Sequence, residues 1–193
     1  GSGDTVEQYI LNNYTVDTTL FEKIDANFVA VKDGEIVVLG KDTDSAFYGL
    51  TTLYQIFGQL GGKTIRNLTI NDYADVVSRG FIEGYYGNPW SVEDRAALMT
   101  WGGYYKLNSY FYAPKDDPYH HGEGCYLPYP EGKAYELAAL VRCARENRVR
   151  FVWAIHPANT VDWSVNEGRT QLDGLCAKLE LMYKIGVRDF GVL

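Results

Sequence analysis

At 193 residues the chain can bury one ordinary core, or two smaller ones, without help from disulfides. A complete eight-stranded barrel, at roughly 250 residues, does not fit this length. With 46% hydrophobic and 22% charged residues the composition is that of a folded protein, and a net charge of -7 without a Lys/Arg cluster argues against nucleic acid as a partner.

From Ala26 to Gly40 the sequence predicts a hairpin, because Phe28 and Ala30, then Ile36, Val37, Val38 and Leu39, flank the turn pair Asp33-Gly34. A helix follows, with Ala46, Leu50, Leu53, Tyr54 and Phe57 recurring on one face and Gly61-Gly62 as its stop. Ile65, Leu68 and Ile70 supply a further short strand. Residues 1–77 therefore read as a small mixed α/β domain, expected to lack a segment before residue 1. A strand pair on a helix carries no chemistry by itself.

The pattern changes near residue 78 to regular strand and helix alternation. Gly80 to Tyr86 reads as a strand, and Ser91 caps a helix with Glu93 and Asp94 in its first turn. Leu107 to Ala113 is a second strand. The helix over 131–147 turns Leu137, Leu140, Val141 and Ala144 inward. Val149 to Ile155 is nearly all apolar, as in a parallel strand covered on both faces. Leu172, Leu175, Cys176, Leu179 and Met182 mark another helical face, Gly186 ends it, and Val187 to Leu193 begins a fourth strand. Right-handed crossovers make these units either an open doubly wound sheet or part of a barrel. Gly87-Asn88-Pro89 lacks the glycine pattern of a phosphate-binding loop, which favours the barrel and disfavours a nucleotide cofactor. The expected fold is a small mixed α/β domain followed by the first half of a TIM-type (β/α)8 barrel, over residues 78–193.

In a barrel the three strand ends converge on one rim. They carry Glu83-Gly84-Tyr85-Tyr86, then Lys115-Asp116-Asp117 with His120, then His156-Pro157. Gly84 lets a ligand approach the backbone, Tyr86 can stack on a sugar or pack in the core, and Lys115 can donate to hydroxyls or stay solvated. Asp116 and Asp117 resemble a glycosidase acid pair, but such groups stand about 5–9 Å apart around one centre. Pro118 instead makes them braces of a rigid turn, and His156 shapes the rim. His120, His121 and His156 have no diagnostic metal spacing, and Cys125, Cys143 and Cys176 have neither a Cys-x-x-Cys pattern nor an even count. Neither a metal nor another cofactor is expected. No segment has the apolar length of a membrane span, and Gly1-Ser2-Gly3 reads as a processed or engineered start without a signal peptide.

The run Arg79-Gly80-Phe81-Ile82-Glu83-Gly84-Tyr85-Tyr86-Gly87-Asn88-Pro89-Trp90 closely resembles the opening barrel motif of glycoside hydrolase family 84. The stretches Leu107 to Tyr119 and Phe151 to Pro157 resemble its second and third strand motifs. The family includes bacterial and animal O-GlcNAcases, beta-N-acetylglucosaminidases and clostridial hyaluronidase-like proteins. The resemblance implies an N-acetylglucosamine pocket lined by Gly84 and Lys115, with Tyr86 in the same motif. It implies a retaining, substrate-assisted reaction through an oxazoline, run by two consecutive aspartates after the fourth strand. That pair would lie beyond Leu193, so no catalytic residue is expected in this chain, and the remaining barrel half would come from the same protein or a second chain. Likeness to bacterial members implies a secreted protein. The alternative is a non-catalytic carbohydrate-binding or assembly module that keeps the sugar-facing rim.

Overall fold

The computed structural model describes residues 4–62, 64–158, 160–161 and 167–193. The Gly1-Ser2-Gly3 start lies outside them. The chain divides into two compact units, Gly1–Val77 and Ser78–Leu193.

The first unit runs α1 (Thr5–Asn13), a 3-10 turn (Thr18–Glu22), β1 (Ile24–Lys32), β2 (Glu35–Gly40), α2 (Thr43–Gln59) and β3 (Leu68–Ala74). Asp33 and Gly34 both hold positive φ, 51° and 87°, the conformation a two-residue hairpin turn requires. β1 is central and antiparallel to both neighbours in the order β2-β1-β3. Phe28, Ala30, Val37 and Leu39 pack with Ile10 and Leu20 on one side. α2 packs on β1 and β2 through Tyr48 and Leu53, the latter on the expected face, whereas Leu50, Tyr54 and Phe57 of that face are exposed. The buried positions include Ser45 and Gly49, one turn apart, because small residues let the helix backbone reach the sheet. A Cβ at Gly49 would stand 2.6 Å from Val38 Cγ1. The third strand also starts later than the apolar pattern indicates, at Leu68, so Ile65 lies before it.

The second unit alternates β4 (Gly80–Glu83), α3 (Val92–Tyr104), β5 (Ser109–Tyr112), a 3-10 turn (Gly122–Tyr126), α4 (Glu131–Glu146), β6 (Arg150–Ile155), α5 (Glu167–Lys184) and β7 (Asp189–Val192). All four strands are parallel and lie in sequence order, β4-β5-β6-β7. A doubly wound sheet reverses direction at its switch point, whereas a barrel adds each strand beside the last. This unit is part of a (β/α)8 barrel. Ser91 caps α3 by accepting from Asp94 N–H, and α4 buries Leu137, Leu140, Val141 and Ala144. On α5 the buried line is Leu175, Lys178 and Met182, while Leu172 and Cys176 lie outside it. Leu179 packs against the same core, so the expected face holds at Leu175, Leu179 and Met182, and Lys178 is buried beside it. No described helix is long and apolar enough to cross a membrane.

Alternate strand residues face the helices: Tyr110 and Tyr112 on β5, then Phe151, Trp153 and Ile155 on β6, join one core with α4 and α5. At the end of β4 the residue of that parity is Glu83, fully buried. Its carboxylate accepts from Arg95 Nε at 2.9 Å and Arg95 Nη2 at 2.7 Å, and from the Tyr110 hydroxyl. Burial alone would lower the Arg95 pKa, but the hydrogen bonds to Glu83 carry it above its ordinary value. Removing one partner of such a pair leaves the other buried and uncompensated. Arg95→Met should therefore destabilise the chain by about 3–5 kcal/mol. Denaturant unfolding measures it, and a loss below ~1 kcal/mol would show that water reaches Glu83.

Candidate active-site rim

β4 ends at Glu83, earlier than its apolar run indicates, yet pairing with the β5 segment continues. Ala113 N–H donates to the Glu83 carbonyl at 3.0 Å and Lys115 N–H to the Tyr85 carbonyl at 3.4 Å. The intervening Gly84 carbonyl therefore points away from β5. The same edge includes the end of β6, where His156 N–H donates to the His120 carbonyl at 2.8 Å and His121 bridges in parallel to His156. Gly84, Lys115 and His156 thus sit at neighbouring strand ends.

Tyr86, Lys115 and His156 meet around one cavity of about 280 Å3, with His121, Gly122 and Thr160 completing its wall. Tyr86 is 81% exposed, so its ring is available and takes no part in a core. Among the described residues the Lys115 ammonium makes no ion pair. Its backbone is fixed instead, because His121 Nε2 donates to the Lys115 carbonyl at 2.7 Å. Gly84 stands two residues before Tyr86, and a Cβ there would meet only Ile82 Cγ2, at 3.4 Å. The described packing leaves room for a side chain at this position.

Neither acid of the Lys115 loop lines that cavity. Both line a larger hollow of about 540 Å3 on the helix side, with Trp90, Arg95, Tyr112 and Lys133. Asp116 Oδ2 accepts from Gly87 N–H at 2.6 Å, which holds the turn after Tyr86. Asp117 is buried and accepts from the hydroxyls of Tyr112 at 2.7 Å and Tyr129 at 3.3 Å, and from Tyr119 N–H at 2.8 Å. Trp153 Nε1 donates to the Tyr129 hydroxyl at 3.2 Å. Burial, and after it the Asp117 charge, push the pKa values of both tyrosines up. His120 is buried too: its Nδ1 donates to the Ala154 carbonyl at 2.8 Å, and burial pushes its pKa down. Among the described residues no group of three His, Cys, Asp or Glu converges to hold a metal ion.

Sequence reasoning did not single out His121, Gly122 or Thr160 as cavity walls. Their only signal is proximity to a strand end, His121 and Gly122 at the start of the 3-10 turn after β5 and Thr160 after β6. It also passed over Glu83 with Arg95, whose twelve-residue spacing brings them together only through strand and helix geometry. The cavity combines an exposed aromatic ring, the Lys115 cation and imidazoles. Such a surface suits a neutral, polyhydroxylated ligand better than a phosphate, which would call for several cations or a helix terminus.

The sequence pattern of a family described as beta-N-acetylglucosaminidase matches residues 79–193, and that of glycosyl hydrolase family 20, domain 2, matches residues 19–73. Protein O-GlcNAcase of Rattus norvegicus is 35% identical over 114 residues, which are 59% of this chain and 12% of that protein; the Mus musculus protein gives the same values. Among solved structures, CpGH84D superposes with a TM-score of 0.89 at 45% identity, over 100% of this chain and 32% of the other. CpGH84B gives 0.86 at 32% identity, over 99% and 33%. A mutant Thermobaculum terrenum O-GlcNAc hydrolase gives 0.55 at 33% identity, over 60% and 24%. The chain spans about a third of the length of the first two solved proteins and an eighth of the curated ones. With the family match covering more than half of its length, through the whole rim-bearing unit, the chain belongs to glycoside hydrolase family 84.

Proposed function

We propose that this chain forms one wall of the N-acetylglucosamine site of a retaining beta-N-acetylglucosaminidase. The observation that carries the reading is the meeting of Tyr86, Lys115 and His156 around one hollow at the ends of consecutive parallel strands, with Gly84 beside it. In this reading the Lys115 ammonium and the Gly84 carbonyl, which is turned away from β5, hold sugar hydroxyls, Tyr86 covers an apolar face of the ring, and His156 supports the rim. Asp116 and Asp117 fix the loops that present these groups. Support comes from family membership and from relatives named O-GlcNAcase and O-GlcNAc hydrolase.

The chemistry follows the substrate-assisted course. The carbonyl oxygen of the sugar's own acetamido group attacks the anomeric carbon as the glycosidic bond breaks, giving an oxazoline. One carboxylate polarises the acetamido N–H; a second acid gives its proton to the leaving oxygen and then takes one from the attacking water. Water returns the hydroxyl to the same face, hence retention. The described acids of this rim are otherwise engaged: Glu83 with Arg95, Asp116 with Gly87, Asp117 with tyrosines. The carboxylate pair is supplied by another part of the protein, and the 193 residues alone give negligible turnover.

The test uses the complete protein and an aryl beta-N-acetylglucosaminide. Lys115→Ala should lower kcat/KM by about 10- to 100-fold, the value of one or two charged hydrogen bonds. Gly84→Ala should leave the thermal midpoint within about 2 °C, since its Cβ meets only Ile82, and still cost more than about tenfold in kcat/KM by obstructing the sugar. Replacing the acetamido group by one without a nucleophilic oxygen should abolish release of the aryl alcohol. Ordinary turnover of that substrate refutes the neighbouring-group course, and sugar binding without turnover by the complete protein would mark a carbohydrate-binding module instead.

A further inference from the structure

The segment between Lys115 and α4 is long and irregular, yet it carries Lys115, His121 and Gly122 to the cavity wall. α5 meets this segment's 3-10 turn through two positions one helical turn apart. At Gly174 a Cβ would stand 2.4 Å from the Tyr126 carbonyl oxygen, so the glycine admits the loop backbone against the helix. At Lys178 the side chain is buried to 1% exposure, and its ammonium donates to the Tyr119 carbonyl at 2.8 Å and the Gly124 carbonyl at 2.6 Å. The same ammonium lies 4.6 Å from the centre of the Tyr129 ring and 5.3 Å from that of Tyr119.

Those two carbonyls bracket the residues that build the wall. Between them, His121 donates to the Lys115 carbonyl and His120 accepts from His156 N–H. Just before them, Asp117 accepts from Tyr119 N–H. A donor that grips both ends of residues 119–124 therefore sets the position of the Lys115 backbone without touching the cavity.

We propose that Lys178 is a positioning residue for the sugar cavity, acting through the loop that it clamps against α5. The proposal rests on the sugar-binding reading only for its effect on turnover; the clamp itself is a property of the loop. The groups facing the ammonium are Asp117 and Tyr119 from the loop after β5, Cys125 from the 3-10 turn and Tyr129 before α4. Burial lowers the Lys178 pKa from 10.5 to about 8, against the opposing pull of Asp117 and Cys125. When the loop releases, the ammonium returns to water and to its ordinary value. Docking therefore expels a proton between about pH 8 and 10.5, and the docked form gains with rising pH, by up to about tenfold per unit. Burial also raises the Cys125 thiol above 9.0, and its ionisation in the released loop works against docking there. The lysine is read cleanly between about pH 8 and 9.

The experiment follows amide exchange of residues 115–126 in the complete protein, with protection corrected for intrinsic exchange. In the parent sequence the loop's protection should rise several-fold from pH 8 to 9, while α4 does not follow. In Lys178→Met it should fall by at least about tenfold and lose that rise, and KM for the aryl beta-N-acetylglucosaminide should increase about tenfold with kcat changed less. Lys178→Arg, which keeps the donors, should restore part of the KM. Unchanged loop protection and a KM within twofold in Lys178→Met overturn the proposal. Should that variant not fold, Lys178→Gln takes its place, and unchanged loop protection with a KM within twofold there overturns the proposal equally. Absence of glycosidase activity would instead sink the sugar-site reading and leave the exchange result to decide on the clamp.

Discussion

The Glu83 carboxylate sits where β4 gives way to its loop, out of water and on the helix side of the strand. Alone it would cost several kcal/mol, so the fold holds together at this point only because Arg95 reaches it with two nitrogens and Tyr110 with a hydroxyl. This arrangement ties α3 to the end of β4 and the first two strands to each other. It also sets parity. With Glu83 committed to the helix layer, the next residue must face the other way, and Gly84 is placed on the opposite side of the sheet by the same bond network that stabilises the core.

Asp117 repeats the device one strand further on. Its carboxylate accepts hydrogen bonds from the hydroxyls of Tyr112 and Tyr129, and Trp153 of β6 completes the chain through Tyr129. Two acids near the rim are thereby consumed as anchors. Tyr110, Tyr112 and Tyr129 suit this task because a phenol fills the core with its ring and delivers one hydrogen bond at a fixed reach to a buried carboxylate. A phenylalanine in the same place would pack as well and strand the charge. Catalytic acids need water or substrate beside them, so the enclosure of Glu83 and Asp117 assigns them to the scaffold.

Where local physics dominates, the sequence was legible. Asp33-Gly34 demanded its turn, Ser91 capped its helix, and the four apolar positions of α4 are the four that are buried. The alternation after residue 78 gave the parallel strands, and polar residues following each apolar run gave the rim. Legibility failed where a side chain's size misled. On α2 Leu50, Tyr54 and Phe57 lie outside while Ser45 and Gly49 lie within beside Tyr48 and Leu53, because the face that admits close backbone approach was the one buried. On α5 a lysine is buried beside the apolar face that periodicity marks. Glu83 with Arg95, and Lys178 with the carbonyls of residues 119 and 124, join positions far apart in sequence, and no local pattern announces them. The family motifs supplied what spacing could not, namely the expectation that Gly84 and Lys115 serve one pocket; Lys115 lines the cavity, and Gly84 stands two residues before Tyr86 of its wall.

The two lysines of this rim show how a site is divided between holding and acting. Lys178 spends its donors on backbone carbonyls deep in the fold, where desolvation is offset by short hydrogen bonds and tyrosine faces. Lys115 has only its backbone tied down, by His121, and keeps its ammonium for the cavity. A group that is to bind a ligand must be left unsatisfied in the free protein, yet it can be aimed only if the chain beneath it is fixed. The loop meets both demands by placing its hydrogen bonds in the main chain, on the helix side and on His121, whose ring both lines the hollow and holds the Lys115 carbonyl.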